Sequence, residues 1–477
     1  MPPLLRRARA LVLAVLVLSL VAAACGGDGD DDTATASDET TAASEDTSTS
    51  DTGADGDTGD GDAGGEGTVG SAADEITEPV TIRFESYNLA SAGVNFDATM
   101  EMLEDFQEEN PLITVETVGT GSEEMFPSLQ AQVVAGDPPD VAQVLLREWD
   151  QNIENLPLVE LEEAFGDEVD EQLESGHPFH PRARMLTERD GQIHGLPYVF
   201  STPTLFYNAD LFVEAGLDPE DPPATWDEVA EAAQAVADGT DADGGLYIAC
   251  IELDWCTQGI LLSNGARVMS PDRTEITWAS PEAIEVYEFW QDMVESGAHV
   301  DMTGADALDA FSAGRLGLYL QTSAVQGRIL ESSAGSWELR TTGMPAFGDK
   351  DPVPVNSGSG LGILATDPVQ QRAAWELVKY LTSEDSMQII TTQMGYLPLR
   401  PDMIDDPEYL GDWEHRELIL PNLDQLDTLE PSLSFPGQNA LQIRDEFLES
   451  LELVLFNGAD ATETFTASEA DANELAG

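Results

Sequence analysis

The sequence predicts an α/β protein built as two lobes, and three observations lead there. Apolar strands and helical periodicities alternate as β-α-β-α-β between Val80 and Leu146, the pattern of a parallel sheet with right-handed crossovers. Between Gly191 and Ala233 the chain leaves an apolar strand, crosses a polar notch and enters a separately capped helix. One run thus leaves one packed unit and founds another. About 400 residues follow a polar N-terminal stretch, more than a single core usually holds.

Taken in order, the chain begins with Arg6, Arg7 and Arg9 ahead of an apolar run from Ala10 to Ala24. A charged start and a short apolar run make residues 1–24 a secretory signal, too short to span a bilayer. Ala22-Ala23-Ala24-Cys25-Gly26-Gly27 resembles a bacterial lipobox, with alanine where leucine is more usual. Cleavage before Cys25 and diacylation of its thiol would follow. Two acyl chains, at about 0.8 kcal/mol per buried methylene, hold a protein stably on a membrane. Plain secretion, with Cys25 incidental, is the alternative. Residues 25–75 then read as a tether. From 26 onward they hold sixteen carboxylates, no Lys or Arg and no aromatic residue. Such a segment buries too little apolar surface to offset its chain entropy, and it repels itself. Asp28-Gly29-Asp30-Asp31-Asp32 lacks the glycine-plus-glutamate spacing of a calcium loop.

The whole chain carries 92 acidic against 19 basic residues, a formal charge of −73. Without the three signal arginines and the sixteen tether carboxylates, 76 acids face 16 bases, so the body itself is at −60. Lys350 and Lys379 are the two lysines. Acid excess with depleted lysine is the surface chemistry of halophiles, where salt screens the self-repulsion; an ordinary acidic secreted protein is the bland alternative. Nucleic acid is disfavoured as a partner, because phosphate binding needs Lys and Arg.

Val80–Tyr87 alternates Ile82, Phe84 and Ser86 against polar neighbours and reads as a strand. Phe96, Met100, Leu103 and Phe106 recur at helical spacing, up to Asn110-Pro111. Strand Ile113–Val118, a helix marked by Leu129, Val133 and Val134, the stop Gly136-Asp137-Pro138-Pro139 and strand Val141–Leu146 follow. Ile193–Phe200 is a strand that Ser201-Thr202-Pro203 interrupts, since Pro203 has no N–H for a ladder. Asp210 is placed to cap a short helix that Gly216 ends. Thr225-Trp226-Asp227-Glu228 is a capping box opening a helix through Val236. Cys250 and Cys256 flank IELDW; outside the membrane the expectation is a local disulfide, and the pair is poor zinc spacing. Helices are predicted over Pro281–Gly297, Ala307–Gly314, Pro368–Leu381 and Leu441–Leu455, with a strand at Leu316–Leu320. The extended run Asp351–Thr366 and the phrase MGYLPLRP are read as second and third passages between lobes. Lobe 1 is then 76–204 plus 355–398, and lobe 2 is 205–354 plus 399–465. Extended crossings of this kind form a hinge on which two lobes close.

The phrases HGLPY, STPTLFYNADLF, AGLDP and PPATWDEV, with AGDPPDVAQV earlier, resemble the extracellular solute-binding proteins of ATP-driven (ABC) importers, in the group that takes carbohydrates and glycerol phosphates. The resemblance covers roughly Thr77 to Gly458, with thin matching over 150–190 and 405–435. It implies the type II periplasmic-binding-protein fold, with discontinuous lobes, hinge crossings and the ligand in the crevice. It also implies a monomer, membrane permease subunits as partners, an outer-face location through lipidated Cys25, and no cofactor. NSGSGLGI, GYLPLR and ALQIRDEFLESLELVLFNG are most similar to the branch that binds glycerol 3-phosphate and glycerophosphodiesters. The branch's phosphate-holding tyrosine and arginine fall on Tyr396 and Arg444, its serines on Ser201 and Ser323, and its glycine N–H on Gly358. A guanidinium fork and a phenol suit a phosphate. Two positions depart. A branch tyrosine aligns with Ser122, and a branch glutamate falls near Leu146, with Glu148 close by. Both departures leave room for a larger headgroup or a sugar. Trp255 is the aromatic residue expected near the ligand or its entrance, and Trp226 is expected in core or hinge packing. Without the resemblance, Arg444 reads as a surface helix residue paired with Glu446 or Glu449.

Catalytic motifs are sparse. Gly358–Gly362, GSGLG, is neither a nucleophile elbow nor a dinucleotide fingerprint. His177-Pro178-Phe179-His180 reads as a surface loop, because Pro178 and Pro181 oppose one helical face. Metal and catalytic residues are therefore assigned to none. A secreted glycoside hydrolase would need two crevice carboxylates at a fixed separation, and acidic pairs on this surface are too common to single any out. A sensory binding protein that transports nothing shares the same sequence features.

Overall fold

The computed structural model describes residues 72–73, 75–437 and 439–477. The signal segment 1–24, Cys25 and nearly all of the 25–75 stretch lie outside the described residues. The main strands, in chain order, are β1 (Val80–Ser86), β2 (Ile113–Gly119), β3 (Val141–Leu145), β4 (Leu196–Ser201), β5 (Pro203–Asn208), β6 (Gly244–Ile248), β7 (Leu316–Thr322), β8 (Leu339–Thr342) and β9 (Ser357–Ile363). They form a sheet in the order β2-β1-β3-β9-β4 and another in the order β8-β5-β7-β6. β1 pairs in parallel with β2 and β3, while β9 runs antiparallel between β3 and β4. In the second sheet β6 and β7 are parallel, and β5 is antiparallel to β7 and β8.

The helices that matter for the site are α1 (Val94–Glu109), α2 (Met125–Ala135), α3 (Ala209–Ala215), α4 (Trp226–Gly239), α5 (Asp254–Ser263), α6 (Pro281–Ser296), α7 (Gly304–Ser312), α8 (Pro368–Leu381), α9 (Ala440–Asn457) and α10 (Ala461–Ala476). Their ends follow local chemistry. Thr225 and Glu228 form the predicted capping box of α4, and left-handed Gly216 and Gly297 end α3 and α6. The cap of α3 is Asn208 rather than Asp210: its side chain accepts from the Asp210 and Leu211 N–H groups. Asp210 thereby becomes a first-turn carboxylate, favourable beside the helix dipole.

Buried apolar side chains divide into two cores. The first joins Ile82, Phe84, Phe106, Trp149, Tyr198 and Trp375 around the five-stranded sheet. The fully buried Trp375 ring stacks on Phe165 at 4.8 Å, and its truncation to alanine should cost about 3–5 kcal/mol. The second core holds Trp226, Trp278, Trp290, Tyr247, Phe447 and Phe465. Trp226 packs against Phe289, Trp290 and Phe347, the core role expected of it.

The chain passes between the cores three times. The first passage is Thr202, between β4 and β5. The second lies between Val355, in the second core, and Leu361, in the first. The third differs from expectation. Leu399, Met403, Leu410, Ile419, Leu426 and Leu429 all belong to the first core, and the next buried apolar residue of the second is Phe435. The buried apolar side chains of residues 399–429 therefore belong to lobe 1, while Leu418 packs on the second core and Asn422 and Gln425 bond to lobe 2. The physical reason starts at Arg400, which is buried over the Phe179 ring at 4.3 Å. It donates to the carbonyls of Gln172 (2.7 Å), Ser175 (3.1 Å) and Thr382 (3.3 Å), all on lobe 1. The second and third passages run side by side, with Glu430 N donating to Pro354 O at 3.0 Å and Ser432 N to Asn356 Oδ1 at 2.9 Å. Two boundaries also move. Ala73 N donates to Pro368 O at 3.0 Å, so the end of the 25–75 range docks on lobe 1. At the other end, α10 carries the second core beyond residue 465.

Candidate ligand-binding crevice

Five strand ends of lobe 1 line one edge. Ser86 lies opposite Gly119, Leu145 opposite Ser359, and Ser357 opposite Ser201. This edge carries the carboxyl ends of β1, β2 and β3, where α/β sheets bind ligands. Lobe 2 presents its counterpart after β6 and β7. The turn after β6 carries the Cys250–Cys256 disulfide, with Cα atoms 5.0 Å apart, and leads into α5. The turn after β7 holds Ser323, whose N–H donates to Thr202 O at 3.0 Å.

A polar chain runs along the lobe 1 edge. Ser86 Oγ donates to Gln143 Oε1, and Gln143 Nε2 donates to Ser359 Oγ at 2.8 Å. The Tyr87 hydroxyl is within hydrogen-bonding reach of Ser359 and Tyr396. Burial pushes the Tyr87 and Tyr396 phenols up, so both stay protonated donors. Leu397 N donates to Phe200 O at 2.9 Å, which sets Tyr396 beside the end of β4. At that end Thr322 Oγ1 donates to Ser201 Oγ at 2.7 Å, from lobe 2 to lobe 1. The Ser323 hydroxyl is buried and makes no hydrogen bond among the described residues. Gly358 has φ +120°, and a Cβ there would meet Val199 O at 2.0 Å. Only glycine lets β9 approach β4 this closely.

Charges gather where α9 packs on the turn after β6. Arg444, on α9, bonds Glu123 at 3.3 Å and Asp445 at 3.4 Å. Its partners are thus neither Glu446 nor Glu449. Arg147, just after β3, bonds Glu123 at 2.6 Å and Glu148 at 3.5 Å. Asp254, at the start of α5, is 7% exposed. Burial pushes its carboxyl up, against the pull of Arg147 and Arg444. Glu148 is likewise raised by burial, opposed by Arg147. Burial alone would raise Glu123 too, but Arg147 and Arg444 outweigh it and hold that carboxyl below its ordinary range.

Of the residues the sequence singled out, Ser201, Gly358 and Tyr396 come to the strand-end edge of lobe 1, and Ser323 meets it from lobe 2. Tyr396 has Tyr87 as its phenol partner and Arg444 has Glu123, so the two sit in separate hydrogen-bond groups. Trp255 is 5% exposed and belongs to the second core, because α5 turns its ring inward rather than toward an entrance. Sequence reasoning missed Arg147, Glu123, Asp254, Tyr87 and Gln143. The available signal was RE directly after the third strand, in a body with 16 bases. His177 is held by Glu384 at 2.9 Å and Asp406 at 3.3 Å, a loop brace. Among the described residues no group of three or more His, Cys, Asp or Glu side chains is placed to hold a metal ion. No helix of the described residues is long and apolar enough to cross a membrane.

The family model for bacterial extracellular solute-binding proteins matches residues 101–417. The chain belongs to this family. Among relatives of this solute-binding protein, the sn-glycerol-3-phosphate-binding periplasmic protein UgpB of Agrobacterium fabrum is 23% identical over 282 residues, 57% of this chain and 64% of the relative. UgpB of Brucella melitensis is 24% identical over 284 residues, 57% of this chain and 65% of the relative. A binding protein of Brucella abortus is 27% identical over 226 residues, 45% of this chain and 52% of the relative. The chain thus spans about half to two thirds of the length of these curated relatives. Among solved structures, UgpB from Mycobacterium tuberculosis in complex with glycerophosphocholine superposes with a TM-score of 0.69 at 23% identity, covering 84% of this chain and 98% of that one. The cyclic alpha-maltosyl-1,6-maltose binding protein from Arthrobacter globiformis gives 0.69 at 22%, covering 83% and 99%. At these identities the structures establish the fold of the solute-binding protein, the two-lobed type II periplasmic-binding-protein fold.

Proposed function

We propose that this solute-binding protein is the lipid-anchored capture subunit of an ATP-driven importer. It closes two lobes on a small polar ligand and passes it to permease subunits in the membrane, without chemistry of its own. The leading ligand is glycerol 3-phosphate or a glycerophosphodiester. The observation that carries this is the meeting of Arg147 and Arg444, one from each lobe, over Glu123. Guanidinium forks suit a phosphate with at least two free oxygens. Tyr396, Tyr87, Ser201 and Ser323 supply hydroxyls for the glycerol end.

A mono- or oligosaccharide is the second reading, favoured by the departures at Ser122 and Leu146 and by the sugar-binding proteins among the structural neighbours. The inward packing of Trp255 speaks against it, since sugars favour exposed aromatic faces.

Calorimetry in high salt tests the choice. Glycerol 3-phosphate or glycerophosphocholine should bind and raise the melting temperature more than maltose or glucose does. Arg444→Ala should weaken binding by about 2–5 kcal/mol if the guanidinium meets a desolvated phosphate. Tight sugar binding that survives Arg444→Ala, with no heat from phosphate esters, would replace the leading ligand by the second.

A further inference from the structure

Glu123 stands in an arrangement that ligand capture by Arg444 alone does not explain. Its Oε1 accepts from Arg147 Nη2 at 2.6 Å, and its Oε2 accepts from Arg444 Nη1 at 3.3 Å. One carboxylate therefore spans a guanidinium from each lobe, one oxygen to each. Two oxygens of a phosphate can make the same pair of bonds. The three side chains are unequally enclosed: Glu123 is 56% exposed, against 21% for Arg147 and 25% for Arg444. Glu123 also precedes α2 in the turn after β2, with no helix holding its backbone. The arginines are the enclosed members of the bridge and the carboxylate is the replaceable partner.

The surrounding charge points the same way. Four carboxylates, Glu123, Glu148, Asp254 and Asp445, face these two guanidiniums. Glu148 is repelled by Glu123, and Asp254 is too enclosed to leave. Turning Glu123 out to solvent removes the one carboxylate that both guanidiniums share and frees Arg444 Nη1, while Arg147 keeps Glu148 and Arg444 keeps Asp445.

We infer that Arg147 is a second ligand-binding guanidinium alongside Arg444, and that Glu123 is an internal competitor whose place the ligand's oxyanion takes. This rests on the reading of the ligand as an anionic ester. Glu123 then sets specificity. A group that offers two charged oxygens replaces the carboxylate like for like. A neutral hydroxyl of a sugar does not, and leaves the Arg–Glu–Arg bridge standing. Selection against the weaker competitor is thus built into the site as well as attraction for the right one.

The test is calorimetry on the full chain at one fixed salt concentration, with glycerol 3-phosphate, glycerophosphocholine, maltose and inorganic phosphate as probes. Wild type is compared with Glu123→Gln, Arg147→Ala and Arg147→Lys, and melting curves check that each variant is folded. Glu123→Gln should bind the phosphate probes about tenfold more tightly, a change of one decade in Kd. Arg147→Ala should weaken them about 30-fold or more. Arg147→Lys should fall between, since it keeps the charge and loses the fork. If wild type takes maltose and no phosphate ester while Glu123→Gln binds inorganic phosphate, the ester reading falls and the anion seat stands. If Glu123→Gln binds every phosphate probe no better than wild type, the inference falls, whatever wild type takes. Should Arg147→Ala not fold, Glu123→Gln and Arg147→Lys decide alone.

Discussion

Asn422 holds the first hinge passage, and replacing it should loosen the whole protein. Its Nδ2 lies 2.7 Å from Thr202 Oγ1, 3.0 Å from Pro203 O and 2.8 Å from Thr204 Oγ1. The amide has two hydrogens for three acceptors, so at most two bonds are made at once. The Pro203 carbonyl is the acceptor that cannot donate in exchange, which fixes the amide orientation; flipping it would face one carbonyl with another. Asn422 is 1% exposed, so water does not replace what is removed. Asn422→Ala deletes two net hydrogen bonds and leaves buried acceptors, at about 1–3 kcal/mol for each group left unpaired. The expected loss is about 2–5 kcal/mol. Asn422→Asp keeps the shape and removes the donors, setting a carboxylate against the carbonyl. It should be at least as damaging. Urea unfolding of the three proteins at one molar-range salt concentration, followed by tryptophan fluorescence, measures both. If Asn422→Asp unfolds at the wild-type midpoint, the side chain only fills space and the hinge argument is wrong.

Four further outcomes are expected. Gly358→Ala should lose at least about 2 kcal/mol, because φ +120° is strained for alanine and the Val199 carbonyl blocks its Cβ; an unchanged thermal melt would refute this. Burial pushes His299 down to about 4, and its Nε2 accepts from Ile248 N at 2.9 Å. A folded pKa below the unfolded value of about 6.5 means stability that is present above about pH 6.5 and lost as pH falls toward about 4, some ~3 kcal/mol in all. His299→Gln should flatten that part of the pH–stability curve, and identical wild-type and variant curves would contradict it. A body at −60 should melt lower as salt is diluted, with the Debye length growing from about 3 Å at 1 M to about 30 Å at 0.01 M; a flat melting temperature would end the halophilic reading. Cys25→Ser should release the mature protein into the medium, whereas a variant that stays on the membrane would show that lipidation is not the anchor.

Much of the fold was legible because its signals are local. Thr225 and Glu228 name a helix start within four residues, and Gly216 and Gly297 name helix ends by the backbone they allow. The strand ends followed from the alternation of strands and helices, while Ser201, Ser323 and Gly358 were named from the resemblance; Ser201 and Gly358 lie at the lobe 1 edge and Ser323 opposite them on lobe 2. The third passage was not legible. Leu399, Met403, Leu410, Ile419, Leu426 and Leu429 lie in a stretch that Pro401, Pro407 and Pro421 keep from forming one helix, and only tertiary packing around Arg400 assigns them to a lobe. The charge cluster was hidden for the same reason. Arg147 meets Glu123 from 24 residues away and Arg444 meets it from 321 away. Trp255 misled because its neighbour Cys256 is in a disulfide-closed turn, which suggested a loop where α5 had already begun.

The two ends of the described chain belong to different lobes. Ala73 is bonded to Pro368 on lobe 1, while Phe465 and Ala472 of the last helix sit in the second core. Glu75 and Glu474 are both exposed near those ends. A donor and an acceptor dye on these two positions would ride on opposite halves of the hinge, far from Arg147 and Arg444 in sequence. The efficiency of energy transfer between them would then follow lobe angle in real time. An optical sensor of this kind responds to closure whatever the ligand is, so a panel of nutrients could be screened by colour change alone.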